Sequence, residues 1–226
     1  MDQVKDFNAR LDWVRVLATI YLVAAGVECI CGLTSSSVLG AAELTPHTQM
    51  MGALLAMLAG LGSLVVLVAY VIAGIIFLIL LYRVCGQAMT FSSPFKECSP
   101  ALAVWYWFIP FANLFMPHQV MMHLLRSSAE SAGKRFDGLA VHLWWLAFVA
   151  KAFYGAAMYF IRPHQPQALA ELVSSELWIG IGGAVGVVAA ALFIWMISGW
   201  RANYVQALRR LDTPVSGAAV LPAQVG

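Results

Sequence analysis

The chain has 226 residues and a net charge of +2; 62% of it is hydrophobic and 11% charged, against about half and about a quarter in soluble domains. Those proportions exclude an ordinary soluble globule and predict an all-α integral membrane protein that crosses the bilayer several times. The small net charge and the lack of any Lys/Arg run exclude nucleic acid as an expected partner and leave the lipid bilayer as the first one.

The four cysteines, Cys29, Cys31, Cys85 and Cys98, do not make a disulfide framework in so long and apolar a chain. They read as small buried apolar residues. The apolar run after Arg15 resembles a secretory leader, but Asp2, Asp6 and Asp12 do not suit one. An uncleaved first span over residues 13–33 is expected, with Arg15 near its start and Glu28 near its end.

Residues 34–49 read as a polar, Ser/Thr-rich connection. The second span, residues 50–82, contains no charge, and as helix it would reach about 50 Å, so it must tilt, kink or protrude. Its first half carries Gly52, Ala53, Ala56, Gly60 and Gly62, a composition that lets helices approach closely. Residues 84–104 read as a mixed loop.

Residues 101–116 are short for a span, and Pro110 breaks the helical bonding within them. Irregular backbone at membrane depth needs protein or water to satisfy it. Asn113 is placed to supply such a partner, so the stretch reads as a re-entrant or hairpin segment. Pro117 suits the first turn of a new helix, and residues 117–127 put Val120, Met121, Leu124 and Leu125 on one face with Gln119, His123 and Arg126 off it. That is the pattern of an amphipathic helix at the membrane interface.

Residues 139–161 form the third expected span, with Lys151 near its centre, and residues 162–176 a polar connection. The fourth span, residues 177–200, carries a GxxxG pair, Gly182 and Gly186, suited to close packing within the chain or between copies of it. A helical stripe of Trp200, Tyr204, Leu208 and Leu211 continues to residue 211, and residues 212–226 read as a disordered tail.

Charge decides between four spans and five. If residues 101–116 return to the side they left, eleven Lys/Arg lie on one side and Arg162 alone on the other; if they cross, the split is six against six. The positive-inside rule favours four spans, with both termini cytoplasmic in a cell membrane.

Trp107-Phe108-Ile109-Pro110, Asn113-Leu114, Pro117, Gln119-Val120 and Arg126-Ser127 together resemble the WFIP-x-x-NL-x-x-P-x-Q and R-[AS] pattern of bacterial membrane proteins grouped as domain of unknown function 4328. The resemblance covers most of residues 10–210 and implies two apolar helices before the motif and two after it. Leu125 departs from the aromatic residue which that pattern carries before its Arg. No activity comes with the resemblance.

No phosphate loop, nucleophile elbow, zincin motif or dinucleotide fingerprint occurs. No catalytic, cofactor-binding or metal residue is nominated, and no cofactor is expected. The candidate motif is Trp105, Trp107, Pro110, Asn113, Pro117, Gln119 and Arg126. Glu28 and Lys151 form a candidate intramembrane charge pair, readable as an ion-coupling site or as an interhelical bridge. His118 and His123, five apart, do not share the face that a helical metal pair uses. The expectation is a non-enzymatic structural or regulatory membrane subunit, partnered by a membrane protein or by a second copy through Gly182 and Gly186. The alternative is a small-solute or ion pathway through the Pro-broken segment.

Overall fold

A computed structural model describes residues 2–40, 45–91, 99–161 and 169–212. The charges of Glu43, Lys96 and Arg162, the thiol of Cys98, the connection around Pro163 to Pro166 and the tail from residue 213 lie outside them. The described chain contains helices α1 (Asp2–Leu39), α2 (Pro46–Phe91), α3 (Pro100–Trp105), α4 (Met116–Ser131), α5 (Leu139–Ile161) and α6 (Leu169–Asp212), with a single 3-10 turn at Ala112–Leu114. Four of them, α1, α2, α5 and α6, are long and apolar enough to cross a membrane.

Three of these helices overrun their expected spans. Residues 34–39 belong to α1 rather than to a loop, and three of their hydroxyls are satisfied by the helix's own carbonyls. Thr34 donates to Ile30 at 2.6 Å, while Ser36 and Ser37 both donate to Leu33 at 2.9 and 2.8 Å. Ser35 instead donates across to the Gly52 carbonyl of α2 at 3.2 Å. Thr45 accepts from the Thr48 N–H at 3.2 Å and Pro46 takes the first turn, so α2 starts four residues before the expected span. At its other end α2 absorbs residues 84–91 of the expected mixed loop, with Val84 and Cys85 buried in the core. Residues 169–176 likewise belong to α6 and not to a connection.

Helix α1 is the axis of the bundle, packed antiparallel against α2 on one side and α6 on the other. Small residues permit the α1–α6 approach. A Cβ added at Gly183 would lie 2.5 Å from the Cys29 nitrogen, and one at Gly32 would lie 2.6 Å from the Gly180 nitrogen. Only residues without side chains allow backbones so near. Toward one end the core thickens around Leu11, Leu80, Leu81, Met121, Met196 and Trp200.

Four helix ends meet at that end of the bundle. Arg83 pairs with Asp6 at 2.8 Å and Arg201 with Asp12 at 2.7 Å, and Arg210 donates to the Ser131 carbonyl at 3.5 Å. The start of α1 and the ends of α2, α4 and α6 therefore share one end, the grouping that the charge distribution favours.

Candidate functional site: the hairpin between α2 and α5

Ser99 caps α3 by accepting from the Leu102 N–H at 3.1 Å, and Pro100 occupies its first turn. The helix lasts six residues before the aromatic run and Pro110 end it. At the tip, Phe111 has φ 64 and ψ −46, and the Ala112 N–H donates to the Pro110 carbonyl at 2.8 Å. This is a γ-turn of the rare positive-φ kind, strained for any residue with a Cβ.

Short-range main-chain bonds close the tip. Asn113 N–H donates to Ile109 at 2.9 Å, Leu114 to Phe111 at 3.1 Å and Phe115 to Ala112 at 3.1 Å. The Asn113 Oδ1, an acceptor, is buried without a hydrogen-bond partner, as is the Trp107 Nε1 donor. From α5, the Trp145 Nε1 donates to the Leu114 carbonyl at 3.2 Å and ties the tip to the bundle.

The motif residues divide between two surroundings. Trp107 points inward, with ring centroids 5.9 Å from Phe77, 6.0 Å from Trp145 and 5.8 Å from Phe148. Pro117 is buried, whereas Trp105 (61% exposed), Pro110, Gln119 and Arg126 face outward. Phe111 is 81% exposed, with Phe108 and Phe115 exposed beside it. Val120, Met121, Leu124 and Leu125 of α4 are buried, and Gln119, His123 and Arg126 are exposed, in the division expected. The apolar face of α4 is turned onto the protein core, and Trp200 of α6 donates to Ser128 at 3.3 Å behind it.

On the outer face of α4, His118, Gln119, Met122, His123 and Arg126 line a pocket of about 200 Å³. The Arg126 guanidinium stands 5.6 Å over the Phe136 ring. His118 Nε2 meets His142 Nδ1 of α5 at 3.0 Å, so one ring donates and the other accepts. Burial holds the His118 imidazole below the usual histidine range, and the charge of His142 adds to the effect. Sequence spacing gave no sign of this pair, whose members lie 24 residues apart. Among the described residues no group of three or more His, Cys, Asp or Glu is placed to hold a metal ion.

Glu28 and Lys151 are not in direct contact. Lys151 Nζ donates to the Gly182 carbonyl at 2.7 Å. It lies 3.7 Å from the position a Cβ would take at either Gly182 or Gly186. The GxxxG face thus accommodates a lysine head, together with the Tyr154 ring and the Tyr21 hydroxyl. Its close packing is made within the chain, with both glycines buried. Tyr154 also donates to the Trp178 carbonyl, a second tie between α5 and α6. Glu28 is 6% exposed and lies on the other side of α1, where its Cγ would be 3.2 Å from a Cβ at Gly62. The Lys151 and Glu28 charges interact only at longer range.

Four membrane-length apolar helices around a short broken hairpin define a helical membrane protein. The family model described as Domain of unknown function (DUF4328) matches residues 44–202, and the chain belongs to that family. No curated protein and no solved structure matches the chain.

Proposed function

We propose that this protein is a non-enzymatic membrane subunit that organises or regulates a partner protein, with residues 99–131 as the presenting element and both termini on the cytoplasmic side of a cell membrane. The observation that carries the reading is the tip, where exposed aromatic rings sit on a strained turn closed by main-chain hydrogen bonds. Strain of this kind persists where the surroundings over-determine it, and it clusters at working sites. The tip is bonded to Trp145, six residues into α5, or about 9 Å at the helical rise. That depth favours a re-entrant hairpin whose rings occupy the interfacial zone where Trp and Phe are at home. The eleven-to-one distribution of Lys/Arg supports its cytoplasmic placement.

The test is recovery of tagged, full-length protein in mild detergent. A stoichiometric membrane-protein partner is expected with the wild type and lost with Phe108→Ser/Phe111→Ser, at unchanged helicity. Absence of any stoichiometric partner, or its retention by the double variant, sinks the reading.

A small-solute or ion pathway is the second reading. It is favoured by Lys151 and Glu28 within spans and by the buried, unpartnered Asn113 Oδ1 and Trp107 Nε1. Liposomes made permeable by the purified protein, with the effect lost in Asn113→Ala, would move the assignment here.

A further inference from the structure

We infer that the α4 pocket binds the phosphate group of an anionic phospholipid. This rests on the reading of α4 as an interfacial helix and names a ligand for it. The polar groups of the lining all suit an oxyanion, namely the Arg126 guanidinium, the Gln119 amide and the His118 and His123 imidazoles, and the Met122 thioether completes it. No acid is among them. Arginine binds phosphate through two parallel N–H bonds, which a single ammonium does not reproduce.

Arg126 is in a position to do this. Among the described residues it makes no ion pair or hydrogen bond, although Glu130 stands one turn away on the same helix. Its guanidinium is oriented over Phe136 instead, so less side-chain freedom is lost when an anion binds. His118 is held in place by His142, and this bond survives protonation of one ring, because a protonated ring donates to a neutral one.

A phosphate could come from a lipid headgroup or from solution. The lipid source is favoured by the apolar rim at the start of the same helix, where Phe115 is 63% and Met116 37% exposed. These side chains suit the acyl and glycerol region of the lipid whose headgroup fills the pocket. Basic pockets on the cytoplasmic face of membrane proteins recognise anionic headgroups by the same chemistry.

The experiment uses delipidated full-length protein in nonionic detergent, titrated calorimetrically with short-chain phosphatidylglycerol, short-chain phosphatidylcholine and inorganic phosphate. Saturable phosphatidylglycerol binding is expected, at least tenfold weaker in Arg126→Gln and unchanged in Lys134→Gln/Arg135→Gln, which removes two exposed charges outside the pocket. An equal loss in both variants would mean diffuse surface charge and would overturn the site, as would unchanged binding in Arg126→Gln. If phosphatidylcholine binds equally, the requirement for an anionic lipid falls. If inorganic phosphate binds equally, the site belongs to a free anion and the lipid assignment falls. Because binding is read in micelles, its failure is distinguishable from failure of the partner or topology reading.

Discussion

Phe111 carries its exposed ring on a backbone that a residue without a Cβ would adopt at no steric cost. Phe111→Gly is therefore expected to raise stability in detergent by about 1 kcal/mol, because positive-φ strain of about 1–2 kcal/mol is relieved while little buried area is lost. Denaturation of the two proteins checks it. His118 allows a second prediction. Its folded value lies below the ordinary 6.5, so below that pH the unfolded chain binds more protons than the native one. Stability is present above about pH 6.5 and is lost as pH falls through the lower native value. Burial and the charge of His142 across the helix pair oppose its protonation, and His123 and Arg126 are the other titratable groups along the pocket. Melting temperatures from pH 8 to pH 5 should fall in the wild type and fall less in His118→Gln. Of these features the sequence displayed the motif residues themselves. It did not display the γ-turn, because Pro110-Phe111-Ala112 has no glycine to announce a positive φ, nor the histidine pair, which only the docking of α4 on α5 creates.

Helix α6 depends on glycine at the positions where it meets α1. Gly183→Ala would press a methyl against the Cys29 backbone, which cannot move as a flexible side chain would, and a cost of about 1–3 kcal/mol is expected. Gly74→Ala, where nothing lies within 4 Å of the added atom, should be neutral or slightly stabilising by comparison. Thermal unfolding of both variants in the same detergent measures the contrast, and equal effects would contradict the packing. The centres of all four long helices were legible from hydropathy, and α5 ends where its apolar run ends. Helices α1, α2 and α6 were read too short because their ends are polar. Thr34, Ser36 and Ser37 satisfy their hydroxyls on the Ile30 and Leu33 carbonyls within α1, and the far end of α2 is held by burial of Val84 and Cys85, neither of which a hydropathy window records.

Across the whole molecule, ion pairs join the start of α1 to α2 and α6, and the last turns of α4 and α6 meet at Arg210 and Ser131. The loop at residues 132–138 follows α4 at the end of the bundle shared by the start of α1 and the last turns of α6, and the proposed topology puts that end on the cytoplasmic side. In a background without native cysteines, Lys134→Cys should react with an impermeant thiol reagent only after cells are permeabilised. Labelling of intact cells would place this loop outside and reverse the cytoplasmic assignment. The lipid-facing surface has its own feature, a groove of about 440 Å³ between α1 and α2 lined by Ile20, Val23, Val27, Leu58, Leu61 and Val65. Its chemistry is that of the acyl chains around it.

The sequence by itself determined that this chain has four helices long and apolar enough to cross a membrane, because an apolar segment in lipid must satisfy its backbone internally and a helix does so within one segment. It also determined which face of α4 is apolar, through the spacing of Val120, Met121, Leu124 and Leu125. Only the tertiary structure decided what those patterns meet. The apolar face of α4 lies on the protein core, Gly182 and Gly186 make room for Lys151, and the candidate charge pair is out of direct contact, with Lys151 bonded to the Gly182 carbonyl and Glu28 beside Gly62. Periodicity and composition are properties of one segment at a time, whereas a neighbour across a helix interface is chosen by the packing of all of them together.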